Sequence, residues 1–118
     1  MKPERLVEIF LQCWSIKSST RYLEGNPARG QCSVTALVIH KYFGGEILKT
    51  KTTEGPHFYN RINGRRYDIT ASQFDNPVTY SDHESTRDET MKDTSPDQYH
   101  CLEKAFLHTI RKEDHKNE

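Results

Sequence analysis

The segment from residue 32 to residue 43 constrains the fold of this chain more than any other part of the sequence. It reads CSVTALVIHKYF, so apolar residues lie on nearly every side of the helix that it would form. A helix that is apolar all round is stable only when protein surrounds it. Gly44 and Gly45 follow, and glycine often supplies the left-handed conformation in which a helix ends. The sequence therefore predicts a buried central helix against which the other elements pack.

Composition limits the kind of protein that this helix belongs to. The chain has 118 residues, enough for one domain with a single core, which we expect to span residues 1–118. Its 17 basic and 17 acidic residues balance, so the charge pattern predicts neither a nucleic-acid partner nor an anionic membrane partner. No apolar run approaches the ~18–20 residues that a membrane span requires.

The N-terminus and the cysteines bear on localisation. The first residues, MKPERLVEIFLQCW, are charged and helical in pattern and do not form the apolar core of a signal peptide. Three cysteines with wide spacing do not make a disulfide framework and fit a reducing compartment. These two features predict a cytoplasmic protein.

Apolar periodicity and turn residues predict the remaining elements. We expect a helix over residues 3 to about 16, a loop over 17–31, a strand over 46–52 and a loop over 75–95 with a short helix near 85–92. Ser95 and Pro96 are a good N-cap and first position for a last helix that ends near Lys112. The segment 113–118 is predicted to be a charged, frayed tail.

Residues 57–70, HFYNRINGRRYDIT, predict a β-hairpin. Asn63-Gly64 between two strand-like runs is a strong signal for a two-residue type I′ turn. With that turn, Tyr59 lies opposite Asp68, and alternation along each strand puts His57 and Asp68 on the same face as diagonal neighbours. A slip of one residue would separate the pair. The turn therefore predicts that the two side chains can touch.

Cys32, His57 and Asp68 together fit a nucleophilic cysteine site. The positive end of a helix dipole favours the thiolate of a cysteine at its N-terminus, a histidine can take or give the proton, and a carboxylate can orient that histidine. Gln31 has two open roles, as a cap of the helix or as an amide that helps to hold an oxyanion. Each residue alone also has an ordinary structural role, whereas the order and placement of all three favour chemistry.

The same residues resemble known families. Residues 30–36, GQCSVTA, resemble the Gly-Gln-Cys-Trp-Val-Phe-Ala nucleophile motif of transglutaminases, HFYN resembles their His-Val-Trp-Asn strand, and DIT resembles their Asp-Ala-Thr. Ser33 and Thr35 stand where that motif has aromatic residues, and the hairpin is much shorter. Over nearly the whole chain, the stretches NPARGQC, HKYFGGEIL and NGRRYDIT are similar to small uncharacterised bacterial proteins of the YunG type.

The resemblance implies an α+β fold with a minimal papain-like, transglutaminase-like core, in which a buried cysteine-bearing helix packs on a small antiparallel sheet. It implies acyl transfer on a peptide or protein amide by a peptidase, amidase, deamidase or transglutaminase, with Cys32, His57 and Asp68 as the catalytic residues. Trp14 is then either an oxyanion donor or an anchor of the first helix in the core. The alternative is a non-catalytic protein-binding module that retains the fold. No cofactor motif and no convincing metal-ligand spacing occurs in the sequence.

Overall fold

A computed structural model describes residues 2–116 of the chain. Within them the α-helices are α1 (Leu6–Leu11), α2 (Cys32–Phe43), α3 (Arg87–Met91) and α4 (Pro96–Lys116). The strands are β1 (Glu46–Thr52), β2 (Gly55–Ile62), β3 (Arg65–Tyr67) and β4 (His83–Ser85), and short 3-10 helices cover Pro3–Arg5 and Ala71–Gln73. Strands and helices thus make an α+β protein, as predicted. Across these residues no helix is long and apolar enough to cross a membrane.

The four strands form one antiparallel sheet in the order β3-β2-β1-β4. The β2–β3 register pairs Ile62 with Arg65 and Asn60 with Tyr67. Asn63 and Gly64 both have positive φ, 53° and 79°, as a type I′ turn requires. The predicted hairpin and its register are therefore confirmed as far as Asn60 and Tyr67, whereas β3 ends at Tyr67, so the predicted pair of Tyr59 and Asp68 lies beyond the ladder.

Helix α2 is the centre of the core. Leu37, Val38 and Ile39 are fully buried, and α2 packs on β2, α3 and α4. Phe10 of α1 stacks on Phe106 of α4, with 5.1 Å between the ring centroids, and both belong to the same apolar cluster as α2. The predicted central position of this helix is confirmed.

Gly45 makes the close turn from α2 into β1 possible. Its φ is +76°, and a Cβ atom there would lie 2.1 Å from the carbonyl oxygen of Arg61. Only glycine avoids this collision with the backbone of β2. The turn therefore holds the sheet tightly against the end of the helix.

Two predicted helix ends are wrong. Helix α1 ends at Leu11 and not near residue 16, because the chain turns there to bury Cys13 and Trp14. Helix α4 runs one turn further than predicted, to Lys116, and an ion pair of 3.2 Å joins Arg5 to Glu113 in that turn. Part of the predicted tail is thus helical, and residues 117–118 lie outside the described residues.

The segment 75–95 contains more structure than predicted. The short helix expected near 85–92 is present as α3, with the Thr86 side chain accepting a hydrogen bond from the Glu89 N–H as its N-cap. The strand β4 was not predicted; it is only three residues long and pairs with the free edge of β1. Three residues are too few for an alternating pattern to be visible in the sequence.

Candidate active site

Cys32 is the first residue of α2. The loop residue Gly30, just before it, passes very close to the chain segment that contains Ser19 and Arg21. Gly30 has φ +72°, and a Cβ atom there would lie 2.5 Å from Ser19 Oγ and 2.7 Å from Arg21 Cβ. No described side chain caps this end of α2, so the first backbone N–H groups of the helix are free of a capping side chain. Cys32 is 8% exposed. Its sulfur therefore lies beside unpaired backbone donors and near, but not on, the open surface.

Gln31 is fully buried and ties the preceding loop to the start of α2. Its Oε1 accepts a hydrogen bond from Ser18 Oγ at 2.8 Å, and its Nε2 donates to the Ser15 carbonyl oxygen at 3.3 Å. The side chain makes no capping bond to a described residue of α2. Gln31 thus positions Cys32 through the backbone, and its amide is turned toward the loop.

The Trp14 indole is directed into the core. Its single N–H donates to Thr35 Oγ1 at 2.9 Å, and the residue is buried. An indole has only one donor, so this bond occupies the group that an oxyanion would need. Of the two roles open for Trp14, this contact favours the core anchor.

His57 and Asp68 contact each other as the hairpin register predicts. His57 Nε2 and Asp68 Oδ2 are 2.8 Å apart, and the two side chains are 1% and 5% exposed. The β2–β3 ladder ends at Tyr67, so Asp68 is the first residue beyond it and is free to turn its carboxylate toward the ring. The predicted pair is therefore brought together.

Two aromatic rings hold the His57 imidazole in place. The edge of Phe74 meets it at a centroid distance of 4.8 Å, and Tyr59 lies roughly parallel to it at 5.7 Å. Burial lowers the pKa of His57 and is the largest single influence. The hydrogen bonds and charges of Asp68 and Cys32 outweigh it and raise the pKa to about 9. The ring is thus protonated at neutral pH.

The second ring nitrogen of His57 is not bonded to Asp68. Nδ1 is buried and has no hydrogen-bond partner of ordinary geometry among residues 2–116, whereas Nε2 is held by Asp68. The influence of Cys32 on the pKa of His57 nevertheless requires its sulfur to lie close to the ring. The Cys32 thiol and the His57 ring are therefore neighbours.

Cys32 and His57 open into a cavity of about 230 Å³. Its wall is mostly polar and includes Arg21, Glu54 and Gln98. A larger groove of about 920 Å³ lies alongside and shares the lining residues Thr52, Pro56 and Asp93. The smaller cavity is below the ~300–1,000 Å³ of a typical small-molecule pocket, so it suits one side chain or a short chain segment.

Cys13 is a buried, packed thiol. Its Sγ lies 3.2 Å from the Ile9 carbonyl oxygen and 3.4 Å from Thr109 Oγ1. Burial raises the pKa of this thiol, more than the bond to Thr109 lowers it. Cys101 is partly exposed on α4. Among residues 2–116 no group of three His, Cys, Asp or Glu side chains is arranged to hold a metal ion.

Sequence reasoning missed Tyr80. Its hydroxyl donates to Asp68 Oδ2 at 2.6 Å, so it contacts the same oxygen as His57. Tyr80 is the only aromatic residue in the polar stretch from residue 75 to residue 95. An isolated aromatic residue in such a stretch is the signal that could have marked it.

Comparisons with known proteins agree on a single family. A family model described as YunG protein matches residues 2–111. The protein described as "Uncharacterized protein YunG" from Bacillus subtilis (strain 168) is 48% identical over 103 residues, which cover 87% of this chain and 90% of that protein. No solved structure matches. With nearly its whole length matched, the chain belongs to the YunG family.

Proposed function

We propose that this protein is a cysteine-dependent acyl-transfer enzyme that acts on amides. Cys32 is its nucleophile, His57 its proton carrier and Asp68 the group that orients His57. One observation carries the proposal: a buried imidazole is held on one side by a carboxylate at 2.8 Å and is influenced on the other by a thiol at a helix N-terminus. That set of groups, in that order, is the one that nucleophilic cysteine chemistry uses.

The reaction begins when the Cys32 thiolate attacks the amide carbonyl carbon, forming the C–S bond of a tetrahedral intermediate. The negative charge moves to the carbonyl oxygen, and the backbone N–H groups at the start of α2 can stabilise it. As the C–N bond breaks, the His57 imidazolium gives its proton to the leaving amine. Water, or a second amine, then attacks the thioester and gives a proton to His57; the C–S bond breaks, the carboxylic acid or new amide is released, and the Cys32 thiolate and His57 imidazolium are restored.

The site favours a carboxamide or peptide substrate. A cavity of about 230 Å³ with a polar wall admits one extended side chain or a short peptide segment. The likeness of residues 30–36 to the transglutaminase nucleophile motif supports the same class of substrate. Peptidase, amidase, deamidase and transglutaminase activities all share the thioester and differ in the acyl donor and acceptor.

The reactivity of Cys32 tests the proposal directly. We expect iodoacetamide to modify Cys32 nearly as fast at about pH 6 as at about pH 8, because the protonated His57 ring and the start of α2 place positive charge beside the sulfur. An ordinary thiol, with a pKa near 8.5, slows by up to roughly a hundredfold over that interval. His57→Ala should restore the ordinary profile. Mass spectrometry assigns the modification to each cysteine, so that buried Cys13 and partly exposed Cys101 serve as controls in the same sample.

A simple acyl donor separates catalysis from binding. p-Nitrophenyl acetate should leave an acetyl group on Cys32 and then turn over, and Cys32→Ser should abolish both. If Cys32 has the ordinary profile and reacts no faster than Cys101, the catalytic proposal fails. In that case a protein-binding module that retains the site's geometry becomes the better account.

A further inference from the structure

A strap of irregular chain, residues 74–82, covers the outer face of the sheet. It contacts that face at each end and in the middle: Phe74 meets the His57 ring, Thr50 Oγ1 donates to the Thr79 carbonyl oxygen at 3.0 Å, and Tyr59 donates to Asp82 at 2.8 Å. The strap is thus attached to the strand that carries His57. Its one hydrogen bond into the candidate site comes from Tyr80.

The Asp68 carboxylate depends on that bond for its orientation. Oδ2 accepts from both His57 and Tyr80, at 2.8 Å and 2.6 Å, while the buried Oδ1 has no partner within residues 2–116. A carboxylate with one donor can rotate and exchange its oxygens. Two donors that converge on one oxygen fix it, and hydrogen bonds to a charged group are among the stronger ones.

Tyr80 is itself held in place on several sides. Its ring meets the edge of Tyr59 at 4.9 Å, and the Arg66 guanidinium lies over it at 4.2 Å. Asp82 ties both neighbours together, since it accepts from Tyr59 Oη and from Arg66 Nε at 2.8 and 2.9 Å. Burial, followed by the bond to Asp68, raises the pKa of Tyr80 well above its ordinary value, so the phenol keeps its proton.

From these contacts we infer that Tyr80 is a positioning residue of the Cys32 site. It fixes the Asp68 carboxylate, and through that carboxylate it fixes the His57 ring with Nδ1 toward the thiol. The strap places Tyr80 beside Asp68. This role rests on the proposed function. It gives a function to the strap, whose polar sequence does not indicate one.

Tyr80→Phe tests the role, because it removes the hydroxyl and keeps the packed ring. At about pH 6 we expect the iodoacetamide rate at Cys32 to fall roughly tenfold, the effect of losing one hydrogen bond to a charged group. The loss should be much smaller at about pH 9, where a thiol ionises without help. Tyr42→Phe is the matched control: its hydroxyl donates to the Glu103 carboxylate at 2.8 Å, away from the site, and the rate should not change.

A double-mutant cycle separates positioning from general support of the fold. If Tyr80 acts through Asp68, Tyr80→Phe should have little further effect in an Asp68→Asn background. An equal tenfold loss in both backgrounds overturns the role, and so does a Tyr80→Phe profile identical to that of the parent. A parent profile like that of an ordinary thiol is a different result, because it overturns the proposed function itself and this role with it.

Discussion

The two faces of the sheet are buried in different ways. The inner face packs on α2 through apolar side chains, with Phe58, Ile62 and Ile47 in the main core. The outer face is buried in its middle, where the buried residues include His57, Tyr59 and Thr50. What covers these three is the strap, which hydrogen-bonds to Tyr59 and Thr50 and packs the Phe74 ring against His57.

The two kinds of burial contribute differently to the stability of the fold and to the orientation of side chains. Apolar burial has no preferred direction, and it contributes free energy roughly in proportion to the area removed from water. Hydrogen bonds contribute less net free energy each, but they fix distances and angles. The inner face should therefore determine whether the chain folds. The outer face should determine where His57 and Asp68 point once it has folded.

Leu37→Ala should show the largest effect on the inner side. Leu37 is fully buried in the middle of α2, so its loss leaves a cavity at the centre of the core. We expect the free energy of unfolding to fall by roughly 2–5 kcal/mol, measured by urea denaturation. Protein that remains folded should keep the pH profile of Cys32 alkylation, because the bonds of the outer face are untouched.

An exposed leucine provides the control for that substitution. Leu11 is 48% exposed at the end of α1, and Leu11→Ala should change the stability by no more than about 0.5 kcal/mol. Equal losses from Leu37→Ala and Leu11→Ala would contradict the central position of α2. A changed alkylation profile in folded Leu37→Ala protein would show that the two faces are not separable.

Sequence patterns predicted the inner face better than the outer face. Helix α2 and β1 have the predicted bounds, because long apolar runs and paired glycines are local signals. The Asn63-Gly64 turn likewise fixed the register that joins His57 to Asp68. Contacts of this kind follow from neighbours in the sequence.

The strap could not be predicted in the same way. Tyr80 reaches Asp68 across 12 positions of irregular chain, and no periodic pattern marks such a bond. The direction of the Trp14 indole also depends on where α1 ends, which is decided by tertiary packing against Thr35. Side-chain directions at irregular segments depend on the completed fold, so sequence reasoning anticipated the contact between His57 and Asp68 and missed the one between Tyr80 and Asp68.

The charge of His57 tests the pairing of His57 with Asp68 on the outer face of the sheet. Its pKa is raised from 6.5 to about 9, so its protonated ring stabilises the fold fully below about pH 6.5. That contribution is lost as the pH rises through about 9. Asp68→Asn removes the carboxylate charge, and we expect the titration midpoint of the His57 ring, followed by NMR, to fall by about one unit or more. A parent midpoint near 6.5 would contradict the buried pairing.

Thr50→Val should have the smallest effect, and it probes the strap alone. The Thr50 hydroxyl donates to the Thr79 carbonyl oxygen at 3.0 Å and accepts from the Ser81 N–H at 3.0 Å and the Ser81 hydroxyl at 2.9 Å; valine keeps the shape while losing all three bonds. We expect a loss of about 1 kcal/mol in unfolding free energy. Amide hydrogen exchange should become faster in residues 79–82 and remain unchanged in α2, because loosening is local where few apolar contacts hold a segment. Thr53→Val, outside the strap, is the control. Faster exchange throughout α2 would mean that the strap supports the core, and the division between the two faces would then be wrong.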